Sequence, residues 1–431
     1  MLYSRLTGAL LCGAVLLSLA ACSDPGGVGA NVGREPLSGE NPSETTVMAV
    51  PTSDTTEASL TGLDGQGQSW RFLVGNVSDN LDGRLTNNLE IEADGYVDIG
   101  GPSASNPFSN TSASELSASL RLVPTYRHGD TTATLDMELC DLQSSGVDMG
   151  RTRADESFAT SNRIQSYSIS PADLSAPLDQ DTVTLDLPQS WIDNNASALK
   201  SDDDNLNGFK LAPTGSNTVI VGFQHGSATL RVTTNSDTAD FGVQQSFTHI
   251  GETSGSTPTV SSPNQRLLLD GVGRGLAFNW TKSDKFAALT DSVVVSRAQI
   301  RASFDTGIYE SNNTPSDFVR PSASDYRILA TRRSGGPSCS TLDLSKLNDD
   351  TCVFPMEASE DPGDAQSDRG STIDTFDRWL SGERPLDAFR LGIADRDQIP
   401  SGLDGTTRRG LPSTIPAVVK LDSVNVALTE L

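Results

Sequence analysis

Oxygen-donor side chains recur at alternate positions in one short acidic stretch of the 431-residue chain. Asp203, Asn205, Asn207 and Gly208 match the first half of a calcium-binding loop, in which oxygen ligands alternate and a glycine permits the sharp turn. The twelfth position of such a loop would be Thr214 instead of a bidentate glutamate. The stretch therefore predicts either a weak calcium site or an acidic β-turn that leads into the next strand.

The chain has four tryptophans, which could bind sugars by stacking on the apolar faces of the sugar rings. They are Trp70, Trp191, Trp280 and Trp379. Stacking requires an exposed indole face, whereas large aromatic side chains are more often buried in a sandwich core. The tryptophans are therefore predicted to be either carbohydrate platforms or core residues, and their exposure decides between the two.

The sequence lacks the common short signatures of catalysis. It contains no Gly-x-Ser-x-Gly elbow, no His-Glu-x-x-His run and no Cys-x-x-Cys pair. Its three histidines, His128, His225 and His249, leave little room for a histidine-rich metal centre. A carboxylate pair for glycoside hydrolysis is defined by distance in space, which a sequence does not show. The sequence predicts no catalytic residues, and calcium is the one cofactor it suggests.

Two cysteines predict a covalent crosslink. Cys339 and Cys352 lie in the polar stretch 331–370, and in an exported protein such a pair predicts a disulfide, with two free thiols as the alternative. In the chain-entropy model, closing a loop of this size contributes about 3 kcal/mol to the free energy of unfolding. Cys140 lies in an alternating apolar run and is predicted to be a small, buried hydrophobic residue.

The first residues have the arrangement of an export signal. Arg5 supplies a positive charge, and the apolar run that ends at Leu19 is too short to span a bilayer. The tetrapeptide that ends at Cys22, Leu-Ala-Ala-Cys, resembles a bacterial lipobox, which implies cleavage after residue 21 and acylation of the Cys22 thiol. A general secretory signal that happens to contain Cys22 is the alternative. We expect a protein anchored by lipid in the cell envelope, at the outer membrane or the cell surface.

The charge of the chain excludes one class of partner. A net charge of −25 and a pI near 4.4 argue against nucleic-acid binding, because phosphate contacts require a basic face. Aspartate outnumbers glutamate 41 to 15, and arginine outnumbers lysine 25 to 6. Such an acidic surface predicts adaptation to high salt, which screens the repulsion between carboxylates, with an ordinary acidic secreted protein as the alternative.

The elements that would position these residues are predicted to be β-strands. Apolar and polar residues alternate in 116–122, in 133–139 and in 183–187, and 218–223 is a continuous apolar run typical of a central sandwich strand. The polar stretch at 128–130 is predicted to form a hairpin between the first two alternating runs. Helical spacing is confined to short pieces.

The strand pattern predicts an all-β protein with two β-sandwich or jelly-roll-like domains in tandem. Short matches at an offset of 180 residues, such as 118–122 with 298–302, suggest an internal repeat. The predicted order is a signal peptide at 1–21, an acylated N-terminus and flexible tether at 22–44, a first domain at 45–249, a linker at 250–265 and a second domain at 266–431 with a loop insertion at 331–370.

The stretch from Arg266 to Phe304 carries a family resemblance. It reads RLLLDGVGRGLAFNWT, then a polar gap, and then DSVVVSRAQIRASF. This succession resembles the opening strands of the DNRLRE-type β-sandwich domain of bacterial secreted and surface proteins, and 120–139 and 183–223 resemble its later strands. The resemblance implies a carbohydrate-binding-module-like fold, with no agreed activity and no catalytic residues.

Together these features favour a non-catalytic lipoprotein of the cell envelope whose β-sandwich domains bind a polysaccharide or an envelope or matrix protein. The membrane would be a partner through the N-terminal lipid. An extracellular hydrolase that acts on glycans or esters is the alternative. Converging carboxylates or a Ser-His-Asp cluster in a cleft would favour the hydrolase, and an open sandwich face with an exposed tryptophan would favour binding.

Overall fold

A computed structural model of the protein describes residues 44–47, 49–50, 58–59, 71–143, 160–174, 182–202, 206–253, 255, 257–262, 265–269, 274–280, 293–309, 317–321, 326–333, 353–358, 364–367, 388–395 and 413–430. In this part of the chain β-strands dominate, and the single α-helix, α1, spans Gln189–Leu199. The all-β class predicted from the sequence is therefore confirmed. The described residues contain no helix that is both long enough and apolar enough to cross a membrane.

The strands are numbered in chain order. The first group is β1 (Glu44–Val47), β2 (Ala49–Val50) and β3 (Ala58–Ser59). The second group is β4 (Arg71–Asp79), β5 (Leu89–Pro102), β6 (Ser117–Leu122), β7 (Pro124–Asp130), β8 (Leu135–Leu142), β9 (Thr160–Ile169), β10 (Val183–Asp186), β11 (Phe209–Pro213), β12 (Val219–Gln224), β13 (Thr229–Thr233) and β14 (Thr238–Glu252). The third group is β15 (Arg266–Leu269), β16 (Arg274–Trp280), β17 (Val293–Phe304), β18 (Phe318–Val319), β19 (Tyr326–Arg333), β20 (Val353–Ala358), β21 (Asp364–Ser367), β22 (Ala388–Asp395) and β23 (Pro416–Glu430).

The described strands form two large antiparallel sheets. The first sheet has 12 strands in the order β10-β6-β13-β14-β5-β4-β12-β7-β18, with β11 joined to β5, β8 joined to β11, and β9 joined to β8. The second sheet has 11 strands in the order β1-β23-β15-β16-β22-β19-β20-β21-β17, with β2 and β3 paired to β16. A further pairing of β17 with β23 closes this second path.

The two sheets exchange strands along the chain. The strands β1–β3 precede the first sheet in sequence but pair with β23 and β16 of the second sheet. Conversely, β18 lies among the strands of the second sheet in sequence but pairs with β7 of the first. Two tandem domains with boundaries at 250 and 265 remain a prediction.

Part of the segment 250–265 is packed against the first sheet. Strand β14 continues through Glu252, and Val260 forms an isolated β-bridge with Leu85. The N–H of Thr86 donates to the carbonyl of Thr259 at 2.9 Å. The described residues of this segment therefore pair with the β4–β5 turn and do not form a free linker between two domains.

The first sheet folds around an apolar core, as a sandwich does. The alternating residues predicted from the sequence on β6, β8 and β10 are buried in this core, and so is the continuous run of β12. Helix α1 closes one side of the core with Trp191, Ile192 and Leu199. Strand β12 is packed on both faces, which explains the continuous apolar run that predicted a central strand.

The hairpin predicted at 128–130 is wrong. These residues end strand β7, which pairs with β12 and β18, while β6 pairs with β10 and β13 and β8 pairs with β9 and β11. Arg127 and His128 are buried in β7, at 9% and 0% exposure. The strand was missed because buried polar side chains remove the apolar alternation by which strands are found.

A second apolar cluster joins the two sheets. Leu73 and Val77 of β4 contribute to it from the first sheet, and Leu267 and Val418 contribute from the second. Phe72, the neighbour of Leu73, belongs to the first core instead. The first part of β4, residues 71–75, is therefore buried on both faces. The strand runs between the two cores, and its last residue, an aspartate, lies at the contact of the two sheets.

Candidate functional site

A pocket of about 350 Å³ opens beside α1, where β8 and β11 meet. Leu142, Leu206 and Phe209 give it an apolar floor, and each of these side chains is buried. The remaining wall is polar, with one carboxylate, three amides and an indole. These groups belong to Asp141, Gln143, Asn195, Asn207 and Trp191.

Trp191 and Asp141 are joined at the wall of this pocket. The indole Nε1–H of Trp191 donates to Oδ1 of Asp141 at 2.8 Å, and the ring packs against Phe209 with a centroid distance of 5.5 Å. The Trp191 side chain is only 5% exposed. Burial raises the pKa of Asp141, and the hydrogen bond from Trp191 offsets part of that rise. The structure thus makes Trp191 a core residue that reaches the pocket with its edge, not an open stacking platform.

The amides of the pocket are held by backbone carbonyls. Asn207 Nδ2 donates to the Leu142 carbonyl at 3.1 Å, and Asn195 Nδ2 donates to the Trp191 carbonyl at 3.0 Å. These bonds fix the orientation of each amide group. Neither Oδ1 has a hydrogen-bond partner among the described residues. Both oxygens can therefore accept a hydrogen bond from a ligand.

Gly208 shapes the turn that carries Asn207. Its φ is +91°, and a Cβ added there would lie 2.1 Å from the carbonyl oxygen of Val97. Only glycine fits such a close backbone approach. The sequence correctly indicated a sharp turn at this glycine, and Asn207 is the one predicted calcium ligand that lies in the described part of the chain.

The other predicted site residues divide into two groups. Trp280 is in β16, where its backbone pairs with Ala49. Cys140 is a free thiol that is 7% exposed, which confirms its prediction as a buried residue, and burial together with nearby Glu138 raises its pKa. The remaining residues lie outside the described part of the chain: Cys22, Trp70, Asp203, Asn205, Cys339, Cys352 and Trp379.

A second polar arrangement is fully buried between the two sheets. Asp79, at the end of β4, accepts two hydrogen bonds from the Arg320 guanidinium, at 2.7 and 2.8 Å. Their side chains are 3% and 2% exposed. Burial raises the pKa of Asp79, but the nearby His128 imidazole and the hydrogen-bonded Arg320 guanidinium outweigh it and hold that pKa well below its usual range.

His128 connects this ion pair to a hydroxyl group. Its Nε2 is 3.5 Å from Oδ2 of Asp79, and its Nδ1 is 2.8 Å from Oγ1 of Thr414. The Tyr126 hydroxyl is 3.0 Å from that same Oγ1 and accepts the backbone N–H of Thr414, also at 3.0 Å. The structure therefore brings an acid, an imidazole and a hydroxyl into line, in an order that the sequence does not suggest.

Sequence reasoning missed both arrangements for different reasons. His128 and Thr414 are 286 residues apart, and nothing local marks either residue as a partner. Asp141 lies in β8 and is one of 41 aspartates, so nothing in the sequence singles it out. The only local signal for the pocket was the Asn207–Gly208 turn.

No protein-family model matches the chain, and no curated protein matches it. The fold and the two polar arrangements are therefore the basis for inferring what the protein does.

Proposed function

We propose that the protein is a non-catalytic lipoprotein of the cell envelope that binds a polysaccharide in the pocket beside α1. The main support for this proposal is the set of side chains that line the pocket. Asn195 and Asn207 offer oriented acceptors, Gln143 adds an amide at the rim, and Asp141 adds a carboxylate. Sugars present many hydroxyl groups, each of which donates and accepts, over rings that have apolar faces. A polar wall above an apolar floor matches that chemistry.

Three features of the sequence support the same proposal. The resemblance to DNRLRE-type domains implies a carbohydrate-binding-module-like fold, and the lipobox at Cys22 implies an exposed, lipid-anchored position. The net charge of −25 favours an uncharged glycan over an acidic one, because an acidic polymer would be repelled at long range. Calcium bound by the predicted ligands Asp203, Asn205 and Asn207, here called the Asp203 loop, would add a ligand-bridging ion beside the pocket that Asn207 lines.

Binding to purified glycans by isothermal titration calorimetry tests the pocket. We expect neutral polysaccharides to bind, and Asn195→Ala and Asn207→Ala each to weaken binding. Loss of one hydrogen bond costs about 0.5–1.5 kcal/mol, which corresponds to roughly a 2- to 13-fold higher Kd. Each titration is repeated with calcium and with a chelator, so that a contribution of the Asp203 loop appears as a calcium-dependent Kd.

Asn88→Ala is the matched control. Asn88 is an exposed asparagine beside β5 that does not line the pocket, and its replacement should leave the Kd unchanged. Equal affinity for the wild type, Asn195→Ala and Asn207→Ala would place any glycan binding elsewhere on the protein and overturn this site.

Anchoring is tested separately from ligand binding. Mass spectrometry of membrane fractions should find an N-terminal peptide that begins at a lipid-modified Cys22. The Cys22→Ser variant should leave the membrane and retain the Kd for glycan, since the pocket is far from residue 22 in sequence. A Cys22→Ser protein that stays in the membrane fraction would contradict the lipid anchor.

One observation favours the alternative of an extracellular glycan hydrolase. Asp141 has a raised pKa, which is the property that a general acid needs in order to protonate a leaving group. Release of reducing sugar from a bound polysaccharide, lost in Asp141→Asn, would establish hydrolysis. Tight binding without release of product supports the non-catalytic proposal.

A further inference from the structure

The hydroxyl of Thr414 lies in a site that is closed to any substrate much larger than water. Ser413, Thr414 and His128 are all 0% exposed, and Tyr126 is 8% exposed. An acid, an imidazole and a hydroxyl in this order are the groups that activate an oxygen nucleophile in many hydrolases. Because the site is closed, the only acyl groups within reach of the Thr414 oxygen belong to the protein itself.

The hydrogen bonds around Thr414 form one consistent chain of donors. The carboxylate of Asp79 next to Nε2 favours the His128 tautomer with its hydrogen on Nε2, which leaves Nδ1 to accept from the Thr414 hydroxyl at 2.8 Å. The Tyr126 hydroxyl then donates to Thr414 Oγ1 and accepts the Thr414 N–H. In this assignment His128 Nδ1 accepts from the Thr414 hydroxyl and is poised as a base, while the hydrogen on Nε2 faces Asp79 at 3.5 Å without forming a hydrogen bond.

We propose that the protein cleaves its own backbone between Ser413 and Thr414, with Thr414 as nucleophile, His128 as general base and Tyr126 as the proton donor to the leaving nitrogen. The geometry carries the proposal because the same side chain, Tyr126, is 3.0 Å from both the nucleophilic oxygen and the nitrogen of the bond to be broken. Asp79 is a positioning residue that acts through His128.

The reaction is balanced in two steps. In the first, Thr414 Oγ1 attacks the carbonyl carbon of Ser413 and its proton passes to His128 Nδ1. The C–N bond breaks as the Tyr126 hydroxyl protonates the nitrogen, which leaves an ester between Ser413 and Thr414, a free amine, a Tyr126 phenolate and a His128 imidazolium. In the second step one water molecule hydrolyses that ester to a Ser413 carboxylate and the free Thr414 hydroxyl. The proton released by hydrolysis goes to the Thr414 amine, and the imidazolium proton of His128 returns to the Tyr126 phenolate.

Cleavage would not release the C-terminal piece from the folded protein. Strand β23 begins two residues after Thr414 and pairs with β1, β15 and β17. The piece that starts at Thr414 therefore stays in the second sheet as a non-covalently held strand. The product has two chains under denaturing conditions and one folded body under native conditions.

Intact-mass analysis of the full-length protein, denatured at intervals after synthesis in the presence of protease inhibitors, tests the proposal. We expect a fragment 414–431 that grows with time and a complementary chain that ends at Ser413. Hydroxylamine at neutral pH should accelerate its appearance by cleaving the ester. Hydroxylamine also attacks Asn-Gly bonds, so cleavage at Asn207–Gly208 is distinguished by the mass of the fragment that begins at Gly208.

Four variants separate chemistry from folding. Thr414→Ser keeps a hydroxyl and should still be cleaved, whereas Thr414→Val replaces that hydroxyl with a methyl group of similar size and should not be. His128→Gln should slow cleavage by about 10²–10⁴-fold, the usual contribution of a general base, and Tyr126→Phe should also slow it. The melting temperature of each variant shows whether it is folded.

The wild-type protein alone tests whether the chain cleaves itself, even if His128→Gln fails to fold. Asp79→Asn should slow cleavage in the folded fraction, and Asp79→Glu should restore part of that rate. A wild-type chain that remains intact on long incubation, and that yields no 414–431 fragment with hydroxylamine, overturns the proposal. Cleavage at the same bond in Thr414→Val overturns it as well, because the nucleophile is then missing.

Discussion

The guanidinium of Arg320 and the carboxylate of Asp79 form an ion pair with two hydrogen bonds, which links the residue after β18 to the end of β4. The Nε–Oδ2 and second N–Oδ1 distances are 2.7 and 2.8 Å, and both side chains are almost fully buried. Because the pKa of Asp79 is lowered in the folded state, its contribution to stability is complete above the unfolded value of about 3.9. That contribution is lost as the pH falls from there towards the folded pKa.

Arg320→Met should destabilise the protein strongly. The substitution leaves the Asp79 carboxylate buried without its main partner, and breaking a buried pair in this way costs about 3–5 kcal/mol. Urea unfolding at pH 7, followed by circular dichroism, measures the change in the free energy of unfolding.

The Arg231–Asp240 pair supplies a matched control. It has the same two hydrogen bonds, at 2.7 and 2.8 Å, but its side chains are 36% and 33% exposed. Arg231→Met should cost no more than about 1 kcal/mol, as exposed ion pairs do. Equal losses for Arg320→Met and Arg231→Met would show that burial does not set the value of the Asp79–Arg320 pair.

Asp141→Asn should stabilise the protein at pH 7 and have little effect at pH 3.5. Burial raises the folded pKa of Asp141, so this carboxyl favours folding while it is protonated and loses that contribution as the pH rises through its folded pKa. Asparagine stays neutral at every pH and can still accept the indole N–H of Trp191. The free energy of unfolding of both proteins is compared at the two pH values.

Asp186→Asn, at an exposed position of β10, is the control and should change the free energy of unfolding little at either pH. A destabilised Asp141→Asn protein at pH 7 would contradict this account.

Gly208→Ala should destabilise the protein far more than Gly215→Ala. Both glycines have positive φ, +91° and +73°, so both substitutions cost about 1–2 kcal/mol of backbone strain. Only at Gly208 would the new Cβ meet a backbone atom, the Val97 oxygen at 2.1 Å, while nothing lies within 4 Å at Gly215. Urea unfolding gives both losses, and their difference isolates the clash. Similar losses at the two positions would mean that the turn relaxes to accept the methyl group.

The parts of the fold that could be predicted from the sequence are those with one buried and one exposed face. On β6, for example, Ala118, Leu120 and Leu122 are buried between less buried neighbours, which gives the two-residue period that the sequence shows. Helix α1 could not be found in this way. Its buried residues are Trp191, Ile192 and Leu199 only, too few to express a period of 3.6 residues.

The buried polar residues escaped prediction because their partners are distant in sequence. Asp79 and Arg320 are 241 positions apart, and each has the sequence neighbourhood of an ordinary surface charge. In the same way, the polarity of Asp141 and Asn207 is typical of a turn, and only folding places them around one pocket. Side-chain chemistry thus predicts the kinds of groups available, but the three-dimensional fold decides which of them meet.

The melting temperature of the detergent-solubilised protein should rise with salt and then level off. The net charge of −25 makes the folded surface repel itself, and the screening length falls from about 10 Å at 0.1 M to about 3 Å at 1 M, so most of the relief comes at the lower concentrations. Thermal melts in KCl from about 0.1 to 2 M follow the effect.

Sodium perchlorate is the discriminating comparison. Screening depends on ionic strength and not on the anion, so perchlorate should also raise the melting temperature at low concentration, even though it weakens apolar burial at molar concentration. A melting temperature that does not change with KCl, or that falls with perchlorate from the lowest concentration, would show that surface repulsion does not limit the stability of this protein.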